Sequence, residues 1–296
     1  FALAVWDHKE RALTLARDGQ QHRLDRFSAD FAALGVRVER LDRAGIVSRI
    51  PGLRPEWLHG AYEPDCCDID VAALHAHYLA AARRGGAVLW CPARLAAASP
   101  GGNGWSLALA DGRAAFCAVL VNAAGAWADE IAGLAGARPL GIAPLRRTMV
   151  QLRVSPAVPA GLPLVLDIAG KFYFKPEAGR LWLSPHDETP SPPCDAAPEE
   201  ADVAVAIARL EGVVDWRAGR VESKWAGLRS FAPDRLPVYG FDPEAPGLFW
   251  FAGQGGFGIQ TAPAAASLAA RLLMGEAGGA VDPAPFSPNR FRWLLA

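Results

Sequence analysis

A glycine-rich turn separates an apolar, strand-like run from a helix pattern near the end of the chain. The turn is Gly253-Gln254-Gly255-Gly256-Phe257-Gly258, and it lies between the run Gly247–Ala252 and the helix pattern Thr261–Met274. The N-terminus of a helix offers unpaired N–H groups and the positive end of the helix dipole. The turn therefore predicts a site for an anionic or electron-rich ligand group, with a plain strand–helix turn as the structural alternative.

The same six residues also match GxGxxG, the pattern of a dinucleotide-binding fingerprint. Such a fingerprint opens a βαβ unit, so a strand ending in Asp or Glu should follow about 20 residues later. The sequence has Gly278-Gly279-Ala280 and several prolines there instead. An NAD(P)-dependent Rossmann oxidoreductase is therefore kept only as an alternative.

A second junction of the same kind lies in the middle of the chain. Phe116–Asn122 is a continuous apolar run, which predicts a strand buried on both faces. It leads through Ala123, Ala124 and Gly125 into a helix pattern that begins near Trp127. Small residues at such a junction let a large ligand approach the backbone, although they also suit plain helix–sheet packing.

The remaining patterns predict a mixed protein, α/β at its flanks and mostly antiparallel in its middle. The further predicted helices are Lys9–Asp18 (capped by Asp7), Arg23–Leu34, Asp42–Ile50, Val71–Arg84 (capped by Asp70) and Glu199–Leu210. The further predicted strands are Phe1–Trp6, Val36–Leu41, Leu58–Glu63, Ala87–Cys91, Trp105–Leu109, Thr148–Val154, Leu164–Ile168, Lys171–Lys175, Arg180–Ser184 and Val221–Leu228. This order fits two domains between which the chain crosses more than once.

Composition argues against several classes of partner. The 296 residues are 51% hydrophobic and carry a formal net charge of -1, which argues against nucleic acid or an anionic membrane. No apolar run approaches the roughly 18 residues of a transmembrane helix. The five cysteines are odd in number and form no CxxC, so we expect reduced thiols in a cytoplasmic protein.

No metal site is predicted from the histidines. His75 and His77 lie two apart on a predicted helix, so they point to different faces. His186-Asp187-Glu188 is interpreted as a solvated loop.

Three polar side chains are candidates for binding a small carboxylate-bearing molecule. Arg229 ends an apolar strand pattern, and the Arg146-Arg147 pair precedes another. Guanidinium groups bind carboxylates bidentately, although a surface salt bridge is the common alternative. Tyr173 alternates with Phe172 and Phe174 and so faces away from them, as a phenol facing a ligand would, or as an ordinary buried tyrosine would.

Together these segments resemble the D-amino-acid oxidase/dehydrogenase family of FAD-dependent enzymes, which includes glycine and sarcosine oxidases. The resemblance rests on VNAAGAWADEIAGLAG, WAGLRSFAPDRLPVYG and GQGGFGIQTAP, and it covers nearly the whole chain in the same order. Within the family the likeness is closest to the bacterial D-arginine dehydrogenases, through DIDVAALHAHYL, RPLGIAPLRR and KFYFKPEAG as well.

The resemblance implies a glutathione-reductase-like FAD-binding domain, interleaved with a substrate domain on an antiparallel sheet. The expected substrate-domain parts are 1–64 and 144–236, the expected FAD-domain parts are 65–143 and 237–276, and 277–296 is expected to be a C-terminal tail. FAD is the implied cofactor.

It also implies roles for individual residues. Arg229 and Arg147 match arginines that hold the substrate carboxylate, with Arg146 as a one-residue alignment alternative to Arg147. Tyr173 matches a tyrosine over the substrate, and Gly256 a backbone contact to it. The residues that match the flavin-binding segments are Ala123, Ala124, Gly125, Trp127, Gly253, Gly255, Gly256, Phe257, Gly258, Ile259 and Gln260.

The implied reaction is oxidation of the CH–NH bond of a D-amino acid or related amine by hydride transfer to the flavin. The imine product hydrolyses to a keto acid and ammonia, and oxygen or a quinone-like compound accepts the electrons. The D-arginine dehydrogenases that the chain resembles carry an acidic residue early in the substrate domain, which holds the guanidinium of the substrate. The corresponding segment Phe1–Trp6 contains no acid, so the comparison implies an apolar or small substrate side chain.

One departure from the family is the absence of an N-terminal strand–GxGxxG–helix unit. The chain starts without methionine inside a strand pattern, so we expect this unit upstream of Phe1. A non-catalytic fragment or binding subunit without its FAD unit is the third alternative.

Overall fold

The computed structural model describes residues 11–159, 161–276 and 279–295, with the side chains of 292–295 left out. The chain divides into two compact units, each assembled from three segments. The large-sheet unit comprises Phe1–Ala76, Arg146–Thr189 and Ala196–Gly227. The small-sheet unit comprises His77–Leu145, Pro190–Asp195 and Leu228–Ala296. The chain therefore passes repeatedly from one unit to the other.

The described residues form strands and α-helices in the following order. The strands are β1 Ala12–Arg17, β2 Glu39–Leu41, β3 Trp57–Glu63, β4 Leu95–Gly101, β5 Gly104–Leu109, β6 Ala114–Cys117, β7 Leu120–Asn122, β8 Ala143–Ser155, β9 Leu164–Asp167, β10 Tyr173–Glu177, β11 Arg180–Ser184, β12 Thr189–Pro190, β13 Arg217–Phe231, β14 Val238–Phe241 and β15 Leu248–Ala252. The helices are α1 Gln21–Ala33, α2 Arg43–Val47, α3 Val71–Arg84, α4 Ala128–Leu134, α5 Glu200–Glu211 and α6 Gly258–Met274. Short 3₁₀ turns cover Gly125–Trp127, Ala284–Phe286 and Pro288–Leu295.

The large sheet has nine strands in the order β12-β8-β11-β10-β9-β1-β3-β2, with β13 paired to β8. The β8-β11-β10-β9 pairs are antiparallel, as predicted for the middle of the chain. Strands β1 and β9 pair in parallel. Strands β8 and β13 each carry the chain from one unit into the other.

One face of the large sheet is packed into a core. Phe174 pairs with Leu183, and Leu183 pairs with Val150, so all three side chains point to this face. Helix α5 covers it with Val203, Ala206 and Leu210. Each fully buried large aliphatic or aromatic side chain contributes roughly 1.5–3 kcal/mol, so this face fixes the register of the strands. The opposite face carries Tyr173.

The small-sheet unit contains two three-stranded sheets, β14-β15-β7 and β4-β5-β6. In the first, β15 runs antiparallel to β14 and parallel to β7. Its core is built around Trp105, Trp250 and Leu248, which pack with alanines of α4. Strand β7 lies at the edge of its sheet in the part of the chain that the structure describes.

The prediction of a helix over Lys9–Asp18 is wrong for residues 11–18, the part that the structure describes. Ala12–Arg17 forms β1, and its first five residues are buried. Alanine and leucine favour helices, but here the segment is paired on both sides, by β3 and β9. Tertiary pairing of this kind overrides local propensity. Phe1–Trp6 and Asp7 lie outside the described residues.

Two further strand predictions are wrong, and three strands, β4, β12 and β14, were not predicted. Ala87–Cys91 forms no strand, and the next strand, β4, begins at Leu95. The run Phe116–Asn122 is divided between β6 and β7, which belong to different sheets, because the chain bends between them. Strand β14, which contains a glycine and follows Pro237, was not predicted. The predicted cap Asp70 is confirmed, since it accepts a hydrogen bond from the Ala73 N–H. Asp42, which was predicted as the first residue of its helix, is instead the N-cap and accepts from the Gly45 N–H.

Candidate functional site

Both ligand junctions predicted from the sequence lie at one edge of the small-sheet unit's parallel strand pair. Asn122 of β7 lies beside Trp250 of β15, and the two strands run in the same direction. The segments that follow them, Ala123–Trp127 and Gly253–Phe257, therefore leave the same edge of the sheet. In open α/β sheets this carboxyl edge is where ligands bind.

The first junction is held in place by the buried side chain of Asn122. Its Nδ2 donates to the Ala128 carbonyl at 2.7 Å, and its Oδ1 accepts from the Ala124 N–H at 3.4 Å. Gly125 has φ +57°, and a Cβ atom there would meet nothing within 4 Å. Trp127 is 41% exposed. The junction is therefore built of small residues, its backbone is fixed by Asn122, and one side of it is exposed to solvent.

The glycine loop is fastened to the end of β13. The Gly255 N–H donates to the Ser230 carbonyl at 2.8 Å, and Gln254 forms a β-bridge with Phe231. A Cβ atom on Gly255 would come within 2.5 Å of the Phe231 ring. Gly255 also has φ +56°, so glycine is required there for two independent reasons.

The loop leads into the N-terminus of α6, where first-turn N–H groups are available to a ligand. Phe257 is the N-cap residue and makes no side-chain cap hydrogen bond. Gly258, Ile259 and Gln260 form the first turn, whose N–H groups have no intrahelical acceptor by geometry. Phe257 and Ile259 are more than half exposed. This arrangement suits an electron-rich group with an apolar body.

Arg229 lies against the glycine loop. It is half-buried near the end of β13, and a Cβ atom on Gly256 would lie 2.8 Å from its Nη1. No hydrogen bond or ion pair engages its side chain among residues 11–159, 161–276 and 279–291. The structure therefore brings Arg229 and Gly256 together beside the start of α6, with the guanidinium group available for a carboxylate.

In the large-sheet unit, Tyr173 lies on the face opposite the core. Its partner in β11 is Ser184, and its hydroxyl donates to Met149 Sδ of β8 at 3.0 Å. Because side chains alternate along a strand, Arg147 shares this face with Met149. Met149 was not predicted as a site residue. The alternation of side chains along β8 would have placed it on the same face as Arg147.

The two neighbouring arginines of β8 have different surroundings. Arg146 bonds Glu199 and Asp202 at the start of α5, on the core side of the sheet. Arg147 is 4% exposed and donates from Nε to the Asp187 carbonyl at 2.7 Å. Its Nη2 lies 3.5 Å from Glu188 Oε1. Arg147, and not Arg146, thus shares the face of Tyr173, and it is held there by acidic residues.

The interpretation of His186-Asp187-Glu188 as a solvated loop holds for Glu188, which is exposed, and is wrong for Asp187. The Asp187 side chain is 9% exposed, and its carboxylate accepts from the Thr148 N–H at 2.8 Å and from Thr148 Oγ1 at 2.9 Å. The His186 ring packs edge-on against Tyr173, with centroids 5.6 Å apart. These contacts could not be predicted from the charged residues of the loop, since only the tertiary structure turns the loop inward.

Glu63 is an acidic residue that sequence reasoning also missed. It pairs with Ala12 in β1, and the register through Leu164 and Leu166 places it on the same face as Tyr173. Burial raises the pKa of the Glu63 carboxyl above its ordinary value. This face of the sheet therefore carries hydroxyl, thioether and carboxyl groups.

Neither a membrane span nor a metal cluster is found among the described residues. No described helix is long and apolar enough to cross a membrane. No group of three His, Cys, Asp or Glu side chains in the described ranges could hold a metal ion. No strand follows α6 within the described residues, so the βαβ unit that a Rossmann fingerprint requires is not formed there.

Comparisons with known proteins agree with this geometry. The sequence profile of the family "DAO: FAD dependent oxidoreductase" matches residues 4–272. The chain is 28% identical over 268 residues to the hydrogen cyanide synthase subunit HcnC of Pseudomonas aeruginosa, covering 89% of this chain and 62% of that protein. It is 30% identical over 193 residues to mouse "FAD-dependent oxidoreductase domain-containing protein 1", covering 59% and 39% respectively. The chain thus spans about two fifths to two thirds of the length of these relatives.

A solved structure extends the likeness to nearly the whole chain. Glycine oxidase from Geobacillus kaustophilus superposes with a TM-score of 0.82 at 26% identity, covering 96% of this chain and 75% of that one. The small-residue edge, the open first turn of α6 and its exposed apolar residues also fit FAD chemically. The chain belongs to the DAO family of FAD-dependent oxidoreductases.

Proposed function

We propose that the protein oxidises the CH–NH bond of a D-amino acid or a related amine. The observation that carries this proposal is the position of Arg229 against Gly256, at the loop that precedes α6. The Arg229 side chain is half-buried and has no hydrogen bond or ion pair among the described residues. A guanidinium group beside a flavin-binding loop suits a substrate that carries a carboxylate. The carboxylate and the oxidised carbon of an amino acid are directly bonded, so holding one positions the other.

FAD would be held by Ala123, Ala124, Gly125 and Trp127 at one junction, and by the loop and first turn at the other. Gly253, Gly255, Gly256, Phe257 and Gly258 would follow its surface, with Ile259 and Gln260 at the start of α6. When bound, FAD supplies the acceptor for the hydride that leaves the substrate Cα. The α6 N-terminus stabilises negative charge on a group placed before it.

The chain's own residues bind and orient the substrate. Arg229 binds its carboxylate, and the Gly256 backbone contacts the substrate. Tyr173 contacts the bound substrate, and Arg147 supplies positive charge on the same sheet face. Loss of hydride from Cα of the neutral amine leaves an iminium ion, which releases a proton to give the imine. Water hydrolyses the imine to a keto acid and ammonia. Oxygen or a quinone-like compound then takes up the electrons.

The large-sheet unit would serve as the substrate domain, and the small-sheet unit would hold the flavin. We further propose an upstream nucleotide-binding unit that holds the ADP half of FAD, in a cytoplasmic protein. Two features support the upstream unit: α3 has no buried residue along its length, and Val88, Leu89 and Trp90 are 80%, 53% and 43% exposed. Apolar surface of this size is normally covered.

The substrate side chain is proposed to be apolar or small. Phe1–Trp6, the segment behind this proposal, lies outside the described residues.

Product analysis tests the proposed reaction. Holoprotein is incubated aerobically, and separately with an artificial quinone, with a panel of D- and L-amino acids, glycine and sarcosine. We expect ammonia and the matching keto acid in equal amounts from the D-amino acids with apolar or small side chains. FAD-containing protein that forms neither product from any member would overturn the proposal.

A further inference from the structure

His186 has a backbone conformation that L-amino acids rarely adopt. Its φ is +53°, in the left-handed region, where His is tolerated better than branched residues. Its N–H donates to Ser184 Oγ at 3.1 Å, and its ring Nδ1 lies 2.7 Å from the Gly170 carbonyl oxygen. Because a carbonyl oxygen only accepts, Nδ1 carries the hydrogen of this bond. The backbone and the ring of His186 are therefore both fixed.

The fixed ring lies against the tyrosine of the substrate face. The rings of His186 and Tyr173 meet edge-on, with centroids 5.6 Å apart and planes at 81°. This is a favourable arrangement of two aromatic rings. On its other side, the Tyr173 hydroxyl donates to Met149 Sδ at 3.0 Å. Tyr173 is thus held at its ring by one neighbour and at its hydroxyl by another.

The two residues that follow His186, Asp187 and Glu188, both contact Arg147. The Asp187 carbonyl accepts from Arg147 Nε, and the Asp187 carboxylate accepts from both the N–H and the hydroxyl of Thr148. One inward-turned loop, His186–Glu188, therefore contacts both candidate substrate-binding side chains of the large-sheet unit. Strained backbone that several contacts maintain is typical of functional sites.

We propose that His186 is a positioning residue, which fixes the ring of Tyr173 so that its hydroxyl reaches the substrate. The inference rests on the proposed function for the role of Tyr173 and adds a residue to it. The ring of His186 acts by contact, and its tether to Gly170 makes that contact stiff. Without the ring, Tyr173 can rotate away from its hydrogen-bonded position.

The first test follows Tyr173 itself and needs no catalysis. The protein contains four tyrosines, so 3-fluorotyrosine labelling gives few ¹⁹F resonances, and Tyr173→Phe assigns the relevant one. In His186→Ala we expect the Tyr173 resonance to move at least halfway towards its position in the unfolded protein, while the other three stay in place. His186→Asn accepts the left-handed backbone and keeps an N–H for Gly170 but has no aromatic ring, so it should shift the same resonance.

The matched control is His59→Ala. His59 is a half-buried histidine of the same unit that bonds Gln21 instead of contacting Tyr173. It should leave the Tyr173 resonance unchanged. A Tyr173 resonance that stays in place in both His186 variants, or a shift of all four resonances together, overturns the inference.

The second test is a double-mutant cycle on flavin reduction. We expect His186→Ala to lower the limiting rate of reduction about tenfold when Tyr173 is present and less than about twofold in the Tyr173→Phe background. Equal costs in the two backgrounds would show that His186 does not act through the Tyr173 hydroxyl, and would overturn the inference while leaving the proposed function intact. Wild-type flavin that no amine reduces would instead defeat the proposed function, and the ¹⁹F result would still decide whether His186 positions Tyr173.

Discussion

Gly256 lies so close to Arg229 that a Cβ atom on the glycine would come within 2.8 Å of the guanidinium Nη1. Gly256 has an ordinary φ, so a side chain there is opposed by this contact and not by the backbone. A side chain at residue 256 would therefore require the Arg229 guanidinium group to shift away from the loop.

We predict that Gly256→Ala displaces the Arg229 side chain and lowers the rate of flavin reduction about tenfold, because a misplaced binding group misplaces the substrate. The FAD content should stay unchanged. Anaerobic stopped-flow kinetics measures the rate. Gly133→Ala is the control, since a Cβ atom on Gly133 in α4 meets nothing within 4 Å. Equal rates in Gly256→Ala and the wild type would contradict the prediction.

Arg229→Met should weaken substrate binding more than it slows the reaction. A charge-assisted hydrogen bond contributes roughly 1.5–3 kcal/mol, so we expect Kd for the amino acid to rise about 10- to 150-fold. The measurement is a titration of the reduction rate against substrate concentration. The exposed Arg138→Met serves as control. An unchanged Kd in Arg229→Met would remove Arg229 from carboxylate binding.

Glu63 should make the protein less stable as the pH rises. Its carboxyl has a pKa raised by burial above the ordinary 4.5, so the folded state retains a proton that the unfolded state has lost. The contribution of Glu63 to stability is therefore complete below that ordinary value and is lost as the pH rises through the folded pKa. Glu63→Gln should raise Tm relative to the wild type at about pH 8 and have little effect at about pH 4.

Thermal unfolding followed by circular dichroism at several pH values checks this prediction. The exposed Glu56→Gln is the control and should show no such pH dependence. A Glu63→Gln effect of the same size at every pH would mean that the carboxyl is not destabilised by burial.

Tyr239 should titrate above the ordinary pKa of a tyrosine. It is 4% exposed and stacks on Phe251 at 5.0 Å, and burial raises its pKa to about 12. Ultraviolet titration of tyrosinate should show a late step that Tyr239→Phe removes. Because the folded pKa is raised, stability from this residue is lost as the pH climbs from 10.0 towards about 12. A titration of the folded protein in which Tyr239→Phe removes no step above 10.0 would contradict this.

Local patterns were sufficient where local chemistry determines the structure. Asp70 caps its helix as predicted, and the alternation around Tyr173 placed it opposite Phe172 and Phe174. The two strand–helix junctions were also recognisable, because small residues between a strand and a helix are a local feature. That both leave the same sheet edge follows from the β7–β15 pairing, which no local pattern contains.

Long-range contacts determine what the sequence could not reveal. Ala12–Arg17 is a strand because two distant segments pair with it, although its alanines and leucines favour a helix. His186 has no helix or strand pattern around it, and its role depends on Gly170 and Tyr173. Arg146 and Arg147 are adjacent in sequence, and only the sheet decides which of them shares the face of Tyr173.

The most direct test of the account is the anaerobic absorbance spectrum of the holoprotein, before and after addition of D- and L-amino acids, glycine and sarcosine. We expect the flavin band to bleach with D-amino acids that have apolar or small side chains. We also expect Arg229→Met to require far more substrate for the same bleaching. A normal flavin spectrum that no amino acid or amine bleaches would contradict amine oxidation as the function of this protein.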